Sequence, residues 1–273
     1  MESSSMPPTA ATAPRGSFDA VRRQGPYLAA VLRRTWRGSI VSAFVSPLLY
    51  VVAMGVVLGG YIPGDPDTLE GAPNYLMFVV PGLIASHAMQ IAVGDMTYPV
   101  LAQIKWDKTY HSAVSTPLTP SHLVAGQFAF VGVRLLVTCA VFMAVIAPFG
   151  VFSTWWGPLL ALLAQIGVGM AFAALTMALT VRMDSPEGFG VLFRLGVFPL
   201  FLFSGAFFPV ANLGAFAWLA YLTPLWHGVD LSRMFTLGTV RPGLALVHVA
   251  VLLVLIGVGY RLSCRGLERR LVG

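Results

Sequence analysis

The sequence alternates between long runs of apolar residues and short polar segments. A helix that crosses the hydrocarbon core of a bilayer needs about 20 consecutive, mostly apolar residues. Six runs reach this length, and they predict membrane spans at residues 40–61, 75–94, 123–149, 157–181, 188–209 and 243–260. The runs are continuously apolar and lack the alternation of a transmembrane β-strand. The predicted fold class is therefore an all-α integral membrane protein with six transmembrane helices.

Two segments outside the spans are also predicted to be helical. Residues 26–39 carry apolar residues at helical spacing beside paired arginines, which is typical of an interfacial helix in the headgroup layer. Residues 204–239 are apolar and aromatic, but Pro and Gly divide them into pieces too short to cross a bilayer. We expect short re-entrant helices there, with Asp230 and Arg233, three residues apart, paired on one helical face.

The same pattern divides the chain into consecutive regions. They are a disordered N-terminal lead at 1–25, the interfacial helix at 26–39, a six-span domain at 40–263 and a basic tail at 264–273. Within the domain, a polar loop is predicted at 95–122 and the re-entrant segment at 204–239.

Charged residues are scarce and unevenly placed. Of the 273 residues, 57% are hydrophobic and 10% are charged, whereas soluble domains carry about 25% charged residues. The net charge is +6, but Lys and Arg concentrate before span one, in the loops after spans two and four, and after span six. The loop at 62–74 holds three acidic residues and no basic one. By the positive-inside rule, we predict a cell-membrane protein with both termini cytoplasmic, and we expect no nucleic-acid binding.

Motifs of common enzyme classes are absent from the sequence. The only lysines are Lys105 and Lys108 in "QIKWDK", so the P-loop motif GxxxxGK[ST] does not occur. Neither GxSxG nor HExxH occurs, and the two cysteines form no CxxC pair. We therefore predict no catalytic, cofactor-binding or metal-binding residues in this chain.

The polar segment "IKWDKTYHSAVSTPLTPSHL", residues 104–123, interrupts the apolar runs. We expect a short helix that exposes its charged residues beside Trp106 and Tyr110 and that ends at the prolines that follow. Aromatic anchors surrounded by charge are typical of a surface that docks a cytoplasmic partner. An ordinary loop whose aromatic residues lie in the membrane interface would show the same pattern. The residues alone favour neither interpretation.

Arg134 lies inside the third predicted span. A charge near the middle of a bilayer costs at least about 3 kcal/mol, so this side chain is expected to face the bundle interior or water. Asp95, Asp184 and Glu187, near the ends of neighbouring spans, are the candidate partners. A structural ion pair is favoured over a contact with a bound molecule.

Four stretches carry a resemblance to a known family. They are "YLMFVVPGLIASHAM" (75–89), "TYPVLAQIKWDKTYHSAVSTPL" (97–118), "LFSGAFFPV" (202–210) and "TPLWHGVDLSRMF" (223–235). Together with the predicted spans, they resemble an ABC-2 type transporter permease over essentially the whole chain. The resemblance is to the nodulation-type lipo-oligosaccharide export permeases and actinobacterial drug-efflux permeases. Asp95 stands where that family usually has Glu, which keeps the charge on a shorter side chain.

The resemblance implies an exporter subunit that pairs with a second permease, either an identical copy or a related paralogue. Two separate P-loop ABC ATPase subunits would bind ATP and Mg²⁺, while this chain would hold no cofactor. The substrate would be amphipathic: a lipid-linked saccharide, a glycolipid or a hydrophobic drug. An integral-membrane enzyme that acts on lipids and a membrane scaffold without transport are the alternatives.

The resemblance also implies three groups of site residues. The polar segment would be the coupling helix that docks on the ATPase, through Ile104, Lys105, Trp106, Asp107, Lys108, Tyr110 and His111. The segment after span five would close the outer exit, through Phe207, Phe208, Pro209, Trp226 and His227. Candidates for the substrate pathway, which lipid-facing residues would mimic in sequence, are Met89, Phe193, Phe198, Phe201 and Phe203. Residues 26–39 would form the connecting helix on the membrane surface.

Overall fold

The computed structural model describes residues 66–272 without a gap, together with positions 45, 48, 49, 52, 53, 57 and 61. Within residues 66–272 every regular element is a helix. The predicted lead at 1–25, the interfacial helix at 26–39 and the first span lie outside the described residues, apart from those isolated positions.

Ten α-helices follow one another between residues 75 and 271. In chain order they are α1 (Tyr75–Met96), α2 (Tyr98–Lys105), α3 (Thr109–Val114), α4 (Pro120–Ile146), α5 (Gly157–Thr180), α6 (Glu187–Val191), α7 (Phe198–Phe203), α8 (Ala217–Tyr221), α9 (Pro224–Leu237) and α10 (Pro242–Leu271). A π-helical segment, Leu192–Val197, joins α6 to α7. Short 3-10 segments follow α4 (Ala147–Phe149) and precede α8 (Val210–Phe216).

Four of the described segments are long and apolar enough to cross a membrane. They are Tyr75–Lys105, Pro120–Phe149, Gly157–Thr180 and Pro242–Leu271. The predictions at 75–94, 123–149, 157–181 and 243–260 are therefore confirmed as helices of the required length. The helices of 204–239 are short, as expected, but their re-entrant position in a membrane stays a prediction.

The fifth predicted span, 188–209, does not form one continuous helix. Its residues occupy α6, the π-helical segment and α7, and helical structure stops at Phe203. Pro199 has no N–H to donate, and the backbone leaves α-helical geometry in the turns directly before it. A crossing at this position, and with it the count of six spans, stays a prediction.

Residues next to the helix ends explain where several helices begin and stop. The side-chain oxygen of Asn74 accepts a hydrogen bond from the N–H of Met77 (2.9 Å) at the start of α1. At the start of α4, Thr119 forms a capping box with His122. Gly238 ends α9 in the left-handed conformation, with φ of 74°, which glycine adopts without steric cost.

Helix α5 lies at the centre of the bundle, packed against α1, α4, α9 and α10. Small residues permit these close approaches. Gly228 of α9 meets the side chain of Val168, and Gly259 of α10 meets the backbone of Ala174. Because lipid is as apolar as a leucine side chain, helices in membranes associate through this kind of close van der Waals contact.

The path of the chain gives the bundle two ends, which hold the polar sites described below. The basic end contains residues 97–119, residues 181–186 and the last turns of α10. The opposite end contains residues 66–74, 147–156 and 204–241. At the basic end Arg270 donates to the carbonyl of Met183 (2.6 Å). At the opposite end the N–H of Ser153 donates to the carbonyl of Thr236 (2.9 Å).

We expect Gly259→Ala to lower the stability of the bundle and Gly257→Ala to leave it unchanged or raise it. A Cβ atom at position 259 would lie 2.7 Å from atoms of Ala174, whereas one at position 257 would meet nothing within 4 Å. Both glycines lie in α10, so both substitutions gain helix propensity, about 1 kcal/mol. Only Gly259→Ala adds overpacking, which typically costs about 1–3 kcal/mol. Thermal unfolding in lipid nanodiscs measures the difference, and equal unfolding temperatures would contradict the packing.

Candidate functional site

The polar segment folds into two short helices joined by a sharp turn. After α2 ends at Lys105, the N–H groups of Trp106 and Asp107 donate to the carbonyl of Ala102 (3.0 and 2.9 Å). Lys108 adopts the left-handed conformation, with φ of 52°, and redirects the chain into α3. The single short helix expected from the sequence is therefore divided in two, because a left-handed residue interrupts the helical path.

Five of the seven predicted coupling residues are exposed at this turn. They are Lys105, Trp106, Asp107, Lys108 and His111. Trp106 keeps 54% of its surface accessible, although a large apolar side chain would ordinarily be covered. The turn thus presents one aromatic ring among charged groups, which is the composition of an interface hot spot.

Ile104 and Tyr110 are buried on either side of the turn, with 2% and 5% of their surfaces exposed. The expectation that Tyr110 is an exposed anchor is wrong, because α3 packs against α10 and turns this side chain into the core. The amino group of Lys105 also donates to the carbonyl of Asp184 (2.7 Å). These contacts attach the exposed residues of the turn to the helix bundle.

Arg134 of α4 and Asp95 of α1 form an ion pair inside the bundle. Nη1 of Arg134 lies 2.5 Å from Oδ1 of Asp95. The pair borders a polar cavity of about 300 Å³ that His87 and Gln90 also line. Of the other two candidate partners, Asp184 pairs with Arg270 (3.4 Å), and Glu187 is not included in the ion pairs among residues 66–272. The structure therefore brings Arg134 together with one of its three candidate partners.

Arg233 of α9 is buried at the opposite end, and its guanidinium is fully engaged. It donates to the carboxylate of Glu70 and, through Nη2, to the carbonyls of Phe78 (3.2 Å) and Gly205 (2.8 Å). The ring of Phe78 lies 4.0 Å from the guanidinium carbon. The expected Asp230–Arg233 pair is wrong, because Arg233 points toward the first turn of α1 while Asp230 points toward α10.

Asp230 belongs to a second polar network at this end. Its carboxylate lies 2.9 Å from Nε2 of His248 and 3.9 Å from the guanidinium of Arg241. Because an ionised carboxylate only accepts, His248 donates through Nε2. Nδ1 of His248 in turn lies 2.7 Å from Nδ1 of His227. Burial, together with the neighbouring His248, lowers the pKa of His227, which favours its neutral form.

Two of the five predicted exit residues, Trp226 and His227, lie at this second network. The ring of Trp226 packs against those of His227 and His248, with centroids 5.0 and 5.1 Å away. Phe207 and Phe208 are half-buried and Pro209 is buried. A cavity of about 680 Å³ opens here, bordered by Tyr221, Trp226, Glu70, Asp230, Arg233 and Arg241.

The five pathway candidates are not gathered into one cavity. Met89 is fully buried, Phe193 and Phe201 are half-buried, and Phe198 and Phe203 are exposed. Phe203 lines an apolar groove of about 590 Å³ between α7 and the segment that contains α8. The structure therefore scatters these residues over a core position, a groove and the outer surface.

The partners of Arg233 and Asp230 were not predicted from the sequence. One signal was available: Arg233 is the only Lys or Arg between Arg194 and Arg241, while Glu70 lies in a loop with acidic residues and no base. The order of the helices places Glu70 and Arg233 at the same end of the bundle. Among residues 66–272, no group of three or more His, Cys, Asp or Glu side chains is placed to hold a metal ion.

Asp95→Asn and Arg134→Gln are each expected to destabilise the bundle, and the double variant is expected to recover most of the loss. Each single substitution leaves one charge without its partner, at a cost of about 3 kcal/mol in the membrane interior. The double variant leaves two neutral amides that can bond to each other. Thermal unfolding of the wild type, the two single variants and the double variant in nanodiscs gives the coupling free energy between the two side chains. Additive losses would contradict the ion pair. Restored stability without restored transport would show that the pair has a role in transport in addition to its structural one.

Arg233→Gln is expected to cost about 1–3 kcal/mol of folding free energy, because it leaves the carbonyls of Phe78 and Gly205 without their charged donor. Arg241→Gln is the matched control, since this side chain is 68% exposed and 3.9 Å from Asp230. An exposed ion pair contributes at most about 1 kcal/mol. Unfolding in nanodiscs compares the two variants, and similar losses would show that Arg233 is not the buried anchor.

Comparison with known proteins agrees with this helical architecture. Residues 28–236 match the family model described as "ABC-2 type transporter". Nodulation protein J of Rhizobium leguminosarum bv. viciae is 31% identical over 266 residues, which cover 96% of this chain and 98% of that protein. Nodulation protein J of Sinorhizobium fredii (strain NBRC 101917 / NGR234) is 31% identical over 235 residues, covering 86% and 87%. The chain therefore belongs to the ABC-2 type transporter family and is a multi-pass membrane permease, a transport subunit without ATPase activity of its own.

Proposed function

We propose that this permease is the membrane subunit of an ATP-driven exporter that moves an amphipathic substrate by alternating access. Two separate P-loop ABC ATPase subunits would bind ATP and Mg²⁺ and dock at the basic end. A second permease, identical or paralogous, would complete the pathway. The basic end and both termini would lie on the cytoplasmic side of the cell membrane, in line with the positive-inside rule.

The exposed turn between α2 and α3 is the observation that carries the proposal. A docking surface that transmits force needs an accessible anchor and a rigid base. Trp106 and the charged residues beside it supply the accessible part, while buried Ile104 and Tyr110 supply the base. An interfacial aromatic loop would need Trp106 to reach the membrane, whereas here it stands in a row of exposed charged residues at the end of the bundle.

A movement of this turn would be transmitted directly to a membrane-spanning helix. Helices α1 and α2 together form one candidate membrane span, Tyr75–Lys105, with only Thr97 between them. A displacement of Trp106 would therefore act on α1, which carries Asp95. The bond from Lys105 to the carbonyl of Asp184 would pass the same displacement to the turn that leads into α6.

The relatives and the cavities together support an amphipathic substrate. The family is one of transporters, and the name of the relatives assigns them to nodulation. In this chain an apolar groove lies beside Phe203, and polar cavities border Asp95 and Asp230. A molecule with one apolar and one polar part, such as a glycolipid or a lipid-linked saccharide, would find a match for each.

Trp106→Ala combined with Lys108→Asn is expected to weaken docking of the ATPase by about tenfold or more, since hot-spot residues contribute at least about 2 kcal/mol. Asn tolerates the left-handed backbone of position 108, so the turn should keep its shape. The permease is co-expressed with a P-loop ABC ATPase from the same organism, and co-purification and permease-stimulated ATP hydrolysis are measured.

Trp155→Ala is the matched control, because Trp155 is 92% exposed and lies at the opposite end of the bundle. It should leave both readings unchanged. Unaltered association and hydrolysis in the Trp106 variant would refute the docking assignment. If the wild-type chain retains no ATPase at all, an enzyme that acts on lipids or a scaffold becomes the better account.

A further inference from the structure

Four of the eight residues that line a cleft at the basic end are arginines. It lies between the last turns of α10 and the turn that follows α5, with a volume of about 460 Å³. Arg182, Arg265, Arg269 and Arg270 line it, and Asp184 is the one acidic residue among them. The side chain of Asp184 is 98% exposed and bonds to Arg270, so the charge in the cleft is strongly positive.

A close helix contact makes this surface concave. A Cβ atom at Gly266 would lie 2.6 Å from a side-chain methyl of Val181, so α10 approaches the end of α5 only because glycine stands there. Arg270 donates to the carbonyls of Val181 (3.2 Å) and Met183 (2.6 Å), which fixes the turn against α10. Arginines from two elements therefore face one cavity.

Several guanidinium donors in the cleft are not engaged by the protein. Arg265 and Arg269 are exposed, and neither takes part in an ion pair among residues 66–272. Arg182 donates from Nη1 to the carbonyl of Ala178 (2.6 Å), which leaves its other donors available. A guanidinium is a planar fork whose two N–H groups match two oxygens of a phosphate. Basic residues that only set the orientation of a chain in the membrane do not need to face a common cavity.

The length of α10 places the cleft at the membrane surface. The helix has 30 residues, which makes it about 45 Å long, whereas the hydrocarbon core is about 30 Å thick. Its last turns therefore extend into the headgroup layer. Leu262 lies on the side of the cleft nearest the apolar part of α10 and gives that side an apolar wall.

We propose that this cleft binds the phosphate of an anionic membrane lipid, with the acyl chains along α10 beside Leu262. Arg265 and Arg269 contact the phosphate oxygens, and Arg270 holds the shape of the site. A soluble phosphate would offer the same oxygens without acyl chains. The cleft shares Asp184 with the contact to Lys105, but lipid binding requires neither ATPase docking nor a transported substrate, so failure of one proposal leaves the other intact.

The experiment uses the full chain in phosphatidylcholine nanodiscs with increasing amounts of phosphatidylglycerol. Native mass spectrometry counts the lipids retained, at about 0.15 M salt to screen diffuse attraction. Phosphatidylglycerol should be retained at least about tenfold more strongly than phosphatidylcholine, and Arg265→Gln should remove that preference. Arg261→Gln is the matched control, since it deletes the same charge one turn away on an exposed position outside the cleft.

Three results would overturn the proposal. Equal losses in Arg261→Gln and Arg265→Gln would show general attraction to the membrane surface. Stabilisation by inorganic phosphate in pure phosphatidylcholine, as large as that by phosphatidylglycerol, would assign the cleft to a soluble phosphate. Unchanged retention in Arg265→Gln would exclude the site. If Arg265→Gln does not fold, Arg269→Gln tests the same cleft, and the unfolding temperature in phosphatidylcholine checks that each variant is intact.

Discussion

The arrangement of the opposite end depends on the buried guanidinium of Arg233. A charge removed from water is tolerated only when its donors reach acceptors. Here the acceptors come from three separate stretches of chain: the carboxylate of Glu70, the carbonyl of Phe78 in α1 and the carbonyl of Gly205 after α7. Gly205 has φ of 82°, a conformation that costs other residues steric strain. Hydrogen-bond geometry, together with apolar packing, therefore fixes where these stretches lie.

At the basic end, the backbone carbonyls of the turn that follows α5 hold neighbouring segments in place. Carbonyls at the C-terminus of a helix lack intrahelical donors, and those that follow α5 accept from Arg270 and Lys105 instead. The segment Tyr75–Lys105 is consequently held near one end by Arg233 and at the other by the carbonyl of Asp184. Any movement of α2 relative to α5 must break the Lys105 bond or carry the turn with it.

Span positions could be predicted from the sequence because about 20 apolar residues in a row leave few alternatives. Residues 188–209 satisfied the length, but a π-helical segment replaces the α-helix before Pro199 and helical structure stops at Phe203. The Arg134–Asp95 pair could be named because a charge at membrane depth has few possible partners. The spacing rule that paired Asp230 with Arg233 describes isolated helices. In the bundle, neighbouring helices determine where each side chain points, and the same is true of Tyr110.

Exposed apolar residues in a membrane protein do not identify a pathway, because lipid covers them as readily as a substrate does. Phe198 and Phe203 are in this position. Polar groups at membrane depth are more informative, since each one needs a partner. Oδ2 of Asp95 is buried and has no hydrogen-bond partner within the described part of the chain. A hydroxyl of a polar headgroup passing α1 would find an acceptor there, and the next polar cavity, bordered by Glu70, lies beyond the other end of the same helix. Contacts to a transported molecule are therefore better sought along α1 than along the phenylalanine-rich segment.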